Sequence, residues 1–210
     1  MLRSHRLLDR WLTGSVLREE LRLLTSVQGV ITLSEKDRQL AQTLYALPCV
    51  DLKPFVTPDW CSHVRRDSID SQALLFFANF ERKENSSGAC WFVREVLHRI
   101  HQTRPGVSLT LAGNGSDTLA SELGCPWVTG TGFVEDPSPH FSRCALAIAP
   151  LFEGAGVKFK VLEALASGVP VVGTPVALEG IAPQPGLTAC RPFEFARCVV
   201  RVLSALGAPH

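Results

Sequence analysis

Apolar side chains recur along this chain in two alternating rhythms. Ala73–Ala78, Val107–Ala112, Ala145–Ala149 and Val169–Gly173 are nearly continuous apolar runs of strand length. They lack the polar alternation of a half-exposed sheet, so each is expected as a strand covered on both faces. After the first run, Trp91, Phe92, Val93, Val96, Leu97 and Ile100 recur at helical spacing and predict a helix over 87–102. A closing helix is expected over Pro192–Leu206, with 207–210 as a frayed end. Alternating strands and helices predict an α/β fold with a doubly wound parallel sheet. Ligands of such sheets bind at the carboxyl ends of the strands, where Asn79, Gly113, Gly132 and Gly154–Gly156 fall.

Ahead of this unit, Leu8, Trp11, Leu12, Val16, Leu17, Leu21 and Leu24 follow a helical period. Val27–Leu33 reads as a strand, and Ser34-Glu35-Lys36-Asp37 as the capping-box-like start of a helix running to Leu44. Cys49–Phe55 reads as a further strand. Pro54, Pro58 and the polar stretch Ser62–Ser71 then mark a boundary. The expected division is a first piece over 1–58, a linker over 59–71 and a main domain over 72–206.

Composition narrows the picture. At 210 residues and 46% hydrophobic content the chain can bury one good core and part of another. A formal charge of +1 provides no global field for nucleic acid, so a cationic site has to be local. Seven cysteines, an odd number without CxxC spacing, read as reduced thiols and a cytoplasmic protein. No apolar run reaches membrane-spanning length, and the basic first segment implies peripheral membrane contact at most.

The densest chemistry lies in Gly154-Ala155-Gly156-Val157-Lys158-Phe159-Lys160-Val161-Leu162-Glu163. A helix expected to open after Gly156 carries Lys158 and Lys160 in its first turn and no acidic residue. That is the reverse of what a helix N-terminus favours. A phosphate would satisfy the free amides and both ammonium groups, and the glycines let the backbone approach closely. Glu163, one turn below, can accept hydrogen bonds from vicinal hydroxyls. The plain alternative is a solvated helix with a weak Lys160–Glu163 pair. Other chemistry competes poorly. His98 and His101 share a helix face without further ligands for zinc, Gly113-Asn114-Gly115 lacks the remaining glycine of a dinucleotide fingerprint, and no Gly-x-Ser-x-Gly occurs. There is no DxD pair, and Glu135-Asp136 reads as a helix start.

Taken in order, Asn79-Phe80 with Asn85, Trp91-Phe92-Val93-Arg94-Glu95, Leu111-Ala112-Gly113-Asn114-Gly115, Gly130-Thr131-Gly132-Phe133-Val134-Glu135-Asp136, Ala149-Pro150-Leu151 and the glycine–lysine stretch resemble a glycosyltransferase donor domain. The resemblance is to family 4 and its relatives of the GT-B fold, and covers roughly 72–182. It implies the Rossmann-like C-terminal half of GT-B, with Val27–Asp37 resembling the end of the N-terminal domain. The implied substrate is a nucleoside diphosphate sugar, with transfer of its hexosyl group to an acceptor and no metal or cofactor. By resemblance Lys158 and Lys160 lie at the diphosphate, Glu163 at the ribose and Gly132, Phe133 and Val134 beside the base. Gly154, Ala155, Gly156 and Val157 form the turn near sugar and phosphates, and Gly113 belongs to the same crevice. Asn79 and Arg82 follow the first strand, where relatives place phosphate-directed groups.

Departures accompany the match. Many relatives carry two glutamates eight positions apart, whereas Ala155 stands eight before Glu163. Phe152 follows Pro150-Leu151, where a sister pattern often has arginine. The glycine-rich loop and acceptor pocket of the N-terminal domain are absent. The expectation is therefore a truncated donor-binding half, inactive alone, that works with a separate N-terminal half or another chain. The alternative is a non-catalytic nucleotide-sugar binding module acting with a partner. An epimerase of the same fold lacks supporting residues.

Overall fold

The computed structural model describes residues 14–16, 18–24, 26–45, 50–52, 57–181, 189 and 191–206. It divides into two compact units, Met1–Phe55 and Val56–His210.

In the first unit, residues 18–24 are helical, and the expected helical residues before 14 lie outside the described residues. Strand β1 (Val30–Thr32) pairs in parallel with β2 (Val50–Leu52) across helix α1 (Glu35–Tyr45). Ser34 caps the start of α1, as the capping-box-like sequence implied. Asp37 donates its amide to Ser34 Oγ at 3.1 Å, and the Ser34 hydroxyl donates to Asp37 Oδ2 at 2.7 Å.

The second unit carries one five-stranded parallel sheet: β3 (Asp70–Phe77), β4 (Ser108–Ala112), β5 (Val128–Gly130), β6 (Cys144–Ala149) and β7 (Val171–Gly173). Its strand order is β5-β4-β3-β6-β7. Leu74 faces Leu109 on one side of β3 and Leu146 on the other, so the most apolar strands occupy the centre. All six residues of β6 are buried, as its unbroken apolar run requires.

Helix α2 (Lys83–Trp91) continues through a π-helical stretch, Phe92–Leu97, into a last turn, α3 (His98–His101). Phe92, Val96, Leu97 and Ile100 are fully buried along it. Helices α4 (Ser116–Leu123), α5 (Ser138–Arg143), α6 (Phe159–Ala166) and α7 (Pro192–Leu206) complete the unit. The crossover from β3 to β4 and that from β5 to β6 run in opposite senses across the sheet. Right-handed connections therefore place α2 and α5 on opposite faces, which makes the sheet doubly wound. On the α2 side, Phe195 of α7 packs edge-on against Trp91 and Phe92. On the other, Phe77 meets Phe141 of α5.

The stretch expected as a linker over 59–71 packs on this second unit. Asp59–His63 form a 3-10 turn, and the Trp60 ring lies 4.9 Å from that of Phe141. Arg66 donates to the carbonyls of Phe141 and Cys144, both at 2.6 Å, and β3 already begins at Asp70. These apolar and hydrogen-bonding partners lie far away in sequence, so local polarity did not reveal them.

Candidate functional site

Neighbouring strands β3 and β6 send the chain to opposite sides of the sheet, so the loops leaving their carboxyl ends diverge and open a crevice. Three loops build it. After β3, Phe80 donates its amide to the Asn114 carbonyl at 2.8 Å, tying this loop to the one after β4. Gly113 donates to the Gly132 carbonyl at 3.0 Å, tying the β4 loop to the one after β5. Gly113 has φ 120°, and a Cβ there would stand 2.2 Å from the Ala78 carbonyl oxygen, so only glycine fits. Fully buried Ser116 accepts the amides of Thr131 at 3.1 Å and Gly132 at 2.9 Å, holding the loop that presents Phe133 and Val134.

A cavity of about 360 Å³ occupies this crevice. Its walls include Asn79, Arg82, Gly113, Phe133, Val134 and Lys160 from the residues singled out by sequence, and Phe77, Ala78, Asn85 and Asn114 besides. A larger groove of about 620 Å³, lined by Arg99, Gln102, Phe193 and Arg197 among others, shares no residue with it. The crevice is the stronger candidate because strand-end loops converge there with a half-buried cation.

Lys160 is that cation. It reaches from α6 to donate to Asn85 Oδ1, and its Nζ lies 5.7 Å from the centre of the Phe76 ring. Burial pushes its ammonium from the ordinary 10.5 down to about 8. The Lys158 and Arg82 charges push the same way, and the Glu84 and Glu163 carboxylates oppose them. Arg82 is an exposed rim group, its side chain 71% accessible and 4.0 Å from Glu84.

The remaining expected residues are not in the cavity wall. Gly132 lies behind it, its amide and carbonyl engaged by Ser116 and Gly113. Gly154 and Gly156 take left-handed backbone at φ 109° and 74°, and neither they nor Ala155 and Val157 line the cavity. Lys158 folds back to donate to the Gly156 carbonyl at 2.6 Å. Burial lowers its pKa, against the pull of Glu179. Glu163, half-buried one turn further along α6, has its carboxyl pushed up by burial and drawn down by Lys160.

One expectation is corrected. Helix α6 opens at Phe159, not directly after Gly156, because Lys158 keeps an extended backbone at φ −94° and ψ 101°. Only Lys160 is in the first turn. The helix start has no side-chain cap.

Among the described residues no three His, Cys, Asp or Glu side chains gather as a metal set, and no helix is long and apolar enough to cross a membrane. His101 instead lies 2.7 Å from the Val107 carbonyl and against the Trp127 ring. Asp136 accepts the amide and hydroxyl of Ser138 at 2.9 and 2.8 Å, the helix-start role expected of it.

Asn85 was quoted in the motif but not assigned to the site. A signal was present: it stands three, four and seven positions before buried Gly88, Ala89 and Phe92, a polar residue in phase with an apolar stripe.

The family model described as glycosyl transferases group 1 matches residues 71–205. The chain belongs to this family. Its second unit is the Rossmann-like fold of a GT-B glycosyltransferase C-terminal domain. An uncharacterised 44.6 kDa protein in the cps region of Klebsiella pneumoniae is 28% identical over 117 residues, 51% of this chain and 30% of that protein. A point mutant of S. aureus TarM, in complex with Fondaparinux, alpha-GlcNAc-glycerol and UDP, superposes with a TM-score of 0.64 at 13% identity. That match covers 88% of this chain and 38% of TarM. The pneumococcal O-GlcNAc transferase GtfA, in complex with UDP and GlcNAc, gives 0.66 at 13% identity, covering 90% and 41%. At such identity the likeness is one of fold. The group 1 chain thus spans between 30% and 41% of the length of these proteins.

Proposed function

We propose that this chain is the donor-binding half of a glycosyltransferase, holding a nucleoside diphosphate sugar for hexosyl transfer to an acceptor. The observation that carries the reading is Lys160, a half-buried ammonium in the wall of the switch-point crevice of a group 1 chain. In this reading Lys160, in the first turn of α6, with Lys158 and Arg82, stabilises the negative charge that develops on the departing diphosphate. Asn79 supports the same phosphates. Glu163 takes the ribose hydroxyls, the Gly132-Phe133-Val134 loop flanks the base, and Gly154–Val157 border the sugar. The second unit would hold the donor without a metal ion.

Residues 1–58 are read as the remnant of an N-terminal domain, joined through 59–71 to the donor domain over 72–206. In support, the likeness to GtfA covers 90% of the chain and so extends beyond the second unit. In the first unit Val16, Leu23 and Ile31 are 62%, 58% and 67% exposed. A two-stranded parallel sheet with such apolar exposure fits a unit completed by more protein, either further chain or a separate N-terminal half. Free thiols at Cys61, Cys90, Cys125, Cys144 and Cys198 suit a cytoplasmic setting.

The test is calorimetry of the chain with UDP, GDP and ADP and their sugars, repeated on Lys160→Ala and Glu163→Ala. Saturable binding that both variants weaken supports the site; variants that bind as the wild type does would remove it. Transfer assays on the isolated chain, and again with a complementary N-terminal half, separate a split enzyme from a binding module.

A further inference from the structure

Asn85 is 3% exposed, in the first turn of α2 and in line with the buried stripe of that helix. An amide placed there is costly unless both its ends are satisfied. Its Nδ2 donates to the Asn79 carbonyl at 2.6 Å, and its Oδ1 accepts from Lys160. The two partners fix which way the amide points. With oxygen and nitrogen exchanged, an NH₂ group would face an ammonium and an oxygen would face a carbonyl. The amide is therefore a one-way bridge between the loop leaving β3 and the first turn of α6, with Lys160 75 residues from Asn85 in sequence.

We propose that Asn85 is the positioning residue for Lys160: it holds the ammonium in the crevice wall and locks the β3 loop, through Asn79, to the same point. Lysine alone is a flexible point charge. Held by Asn85, it presents its remaining donors to an anion in the crevice without first being immobilised. The arrangement also explains how a half-buried ammonium persists beside two other cations. Arg82 on the β3 loop and Lys158 at the start of α6 repel it; Glu84 on α2 and Glu163 on α6 attract it, and the Asn85 oxygen is its direct acceptor. The functional meaning rests on Lys160 being a diphosphate contact, whereas the positioning itself is a property of the free protein.

The test separates the two. In the whole chain with ¹³C-labelled lysine, the Lys160 side-chain signal, assigned by its loss in Lys160→Arg, is titrated without ligand. The wild type is expected to show a midpoint at about 8. Asn85→Leu keeps the branching and removes the acceptor, so the midpoint falls by about half a unit or more. Asn85→Asp puts a carboxylate against the amine, so it rises by about one unit or more. General loosening would instead move Lys160 toward about 10.4 in both variants. Opposite shifts support the proposal; a wild-type midpoint in either variant, or an upward shift in both, overturns it. Calorimetry with UDP gives the consequence, an affinity loss of about tenfold in Asn85→Leu. Opposite midpoint shifts with no binding of UDP, GDP or ADP would sustain the positioning role and refute the donor reading.

Discussion

Replacing Lys160 by methionine is expected to make the protein more stable while weakening the crevice for anions. Burial takes the ammonium from 10.5 to about 8, so the charged amine is less well accommodated in the folded chain than in the unfolded one. At about 1.36 kcal/mol per unit the difference is worth about 3 kcal/mol. The direction follows from proton binding. Between about 8 and 10.5 the unfolded chain holds more protons than the folded chain, so stability rises with pH across that window. Below it the whole penalty is present. Methionine fills similar volume without charge and recovers this amount, less about 1 kcal/mol for the Asn85 oxygen that loses its donor. A net gain of about 2 kcal/mol at pH 7 is a large share of the stability of a domain. Urea unfolding of wild type and variant from pH 7 to 10, taken as a difference, cancels the titrating groups that do not interact with Lys160. The gap should be widest at pH 7 and close toward pH 10. A variant no more stable at pH 7, or a gap independent of pH, would refute the argument from burial. A stabilised variant would place Lys160 among residues kept for function at the expense of stability.

Two further substitutions probe the loops. Gly113→Ala forces a Cβ to within 2.2 Å of the Ala78 carbonyl at φ 120°, and should cost about 2–4 kcal/mol, read as a lowered thermal midpoint. Ser116→Ala leaves the Gly132 amide without its acceptor, while the Thr131 amide keeps the Leu111 carbonyl; a loss of about 1–2 kcal/mol by denaturant unfolding and weaker nucleotide binding by calorimetry are expected together.

The parts of the fold that could be read from sequence were those with long, unmixed patterns. The buried run Cys144–Ala149 and the stripe through Phe92, Val96 and Ile100 each left one interpretation. Strand β5 was not read as a strand, because three residues, Val128–Gly130, are too few for a period. Its place beside β4 comes from pairing, such as Leu109 with Val128. The start of α6 was read too early because glycine turns and helix caps look alike until a backbone angle, here that of Lys158, distinguishes them. At the site, the strand pattern and the family resemblance together indicated which loops come near one another, and Asn79, Arg82, Gly113, Phe133, Val134 and Lys160 line one cavity. It could not show that Lys158 turns back on Gly156, nor that Asn85 takes the Lys160 ammonium across 75 residues. Both depend on which side chain a tertiary neighbour reaches first.

The nucleotide is expected in the crevice that Lys160 borders. Amide chemical-shift mapping of the ¹⁵N-labelled chain with UDP, GDP and ADP in turn locates it. Saturable shifts with at least one of them should concentrate at Asn79, Arg82, Asn85, Gly113, Phe133, Val134 and Lys160, and disappear in Lys160→Ala. Shifts gathered instead around Arg99, Phe193 and Arg197, or none with any of the three at millimolar concentration, would contradict this placement.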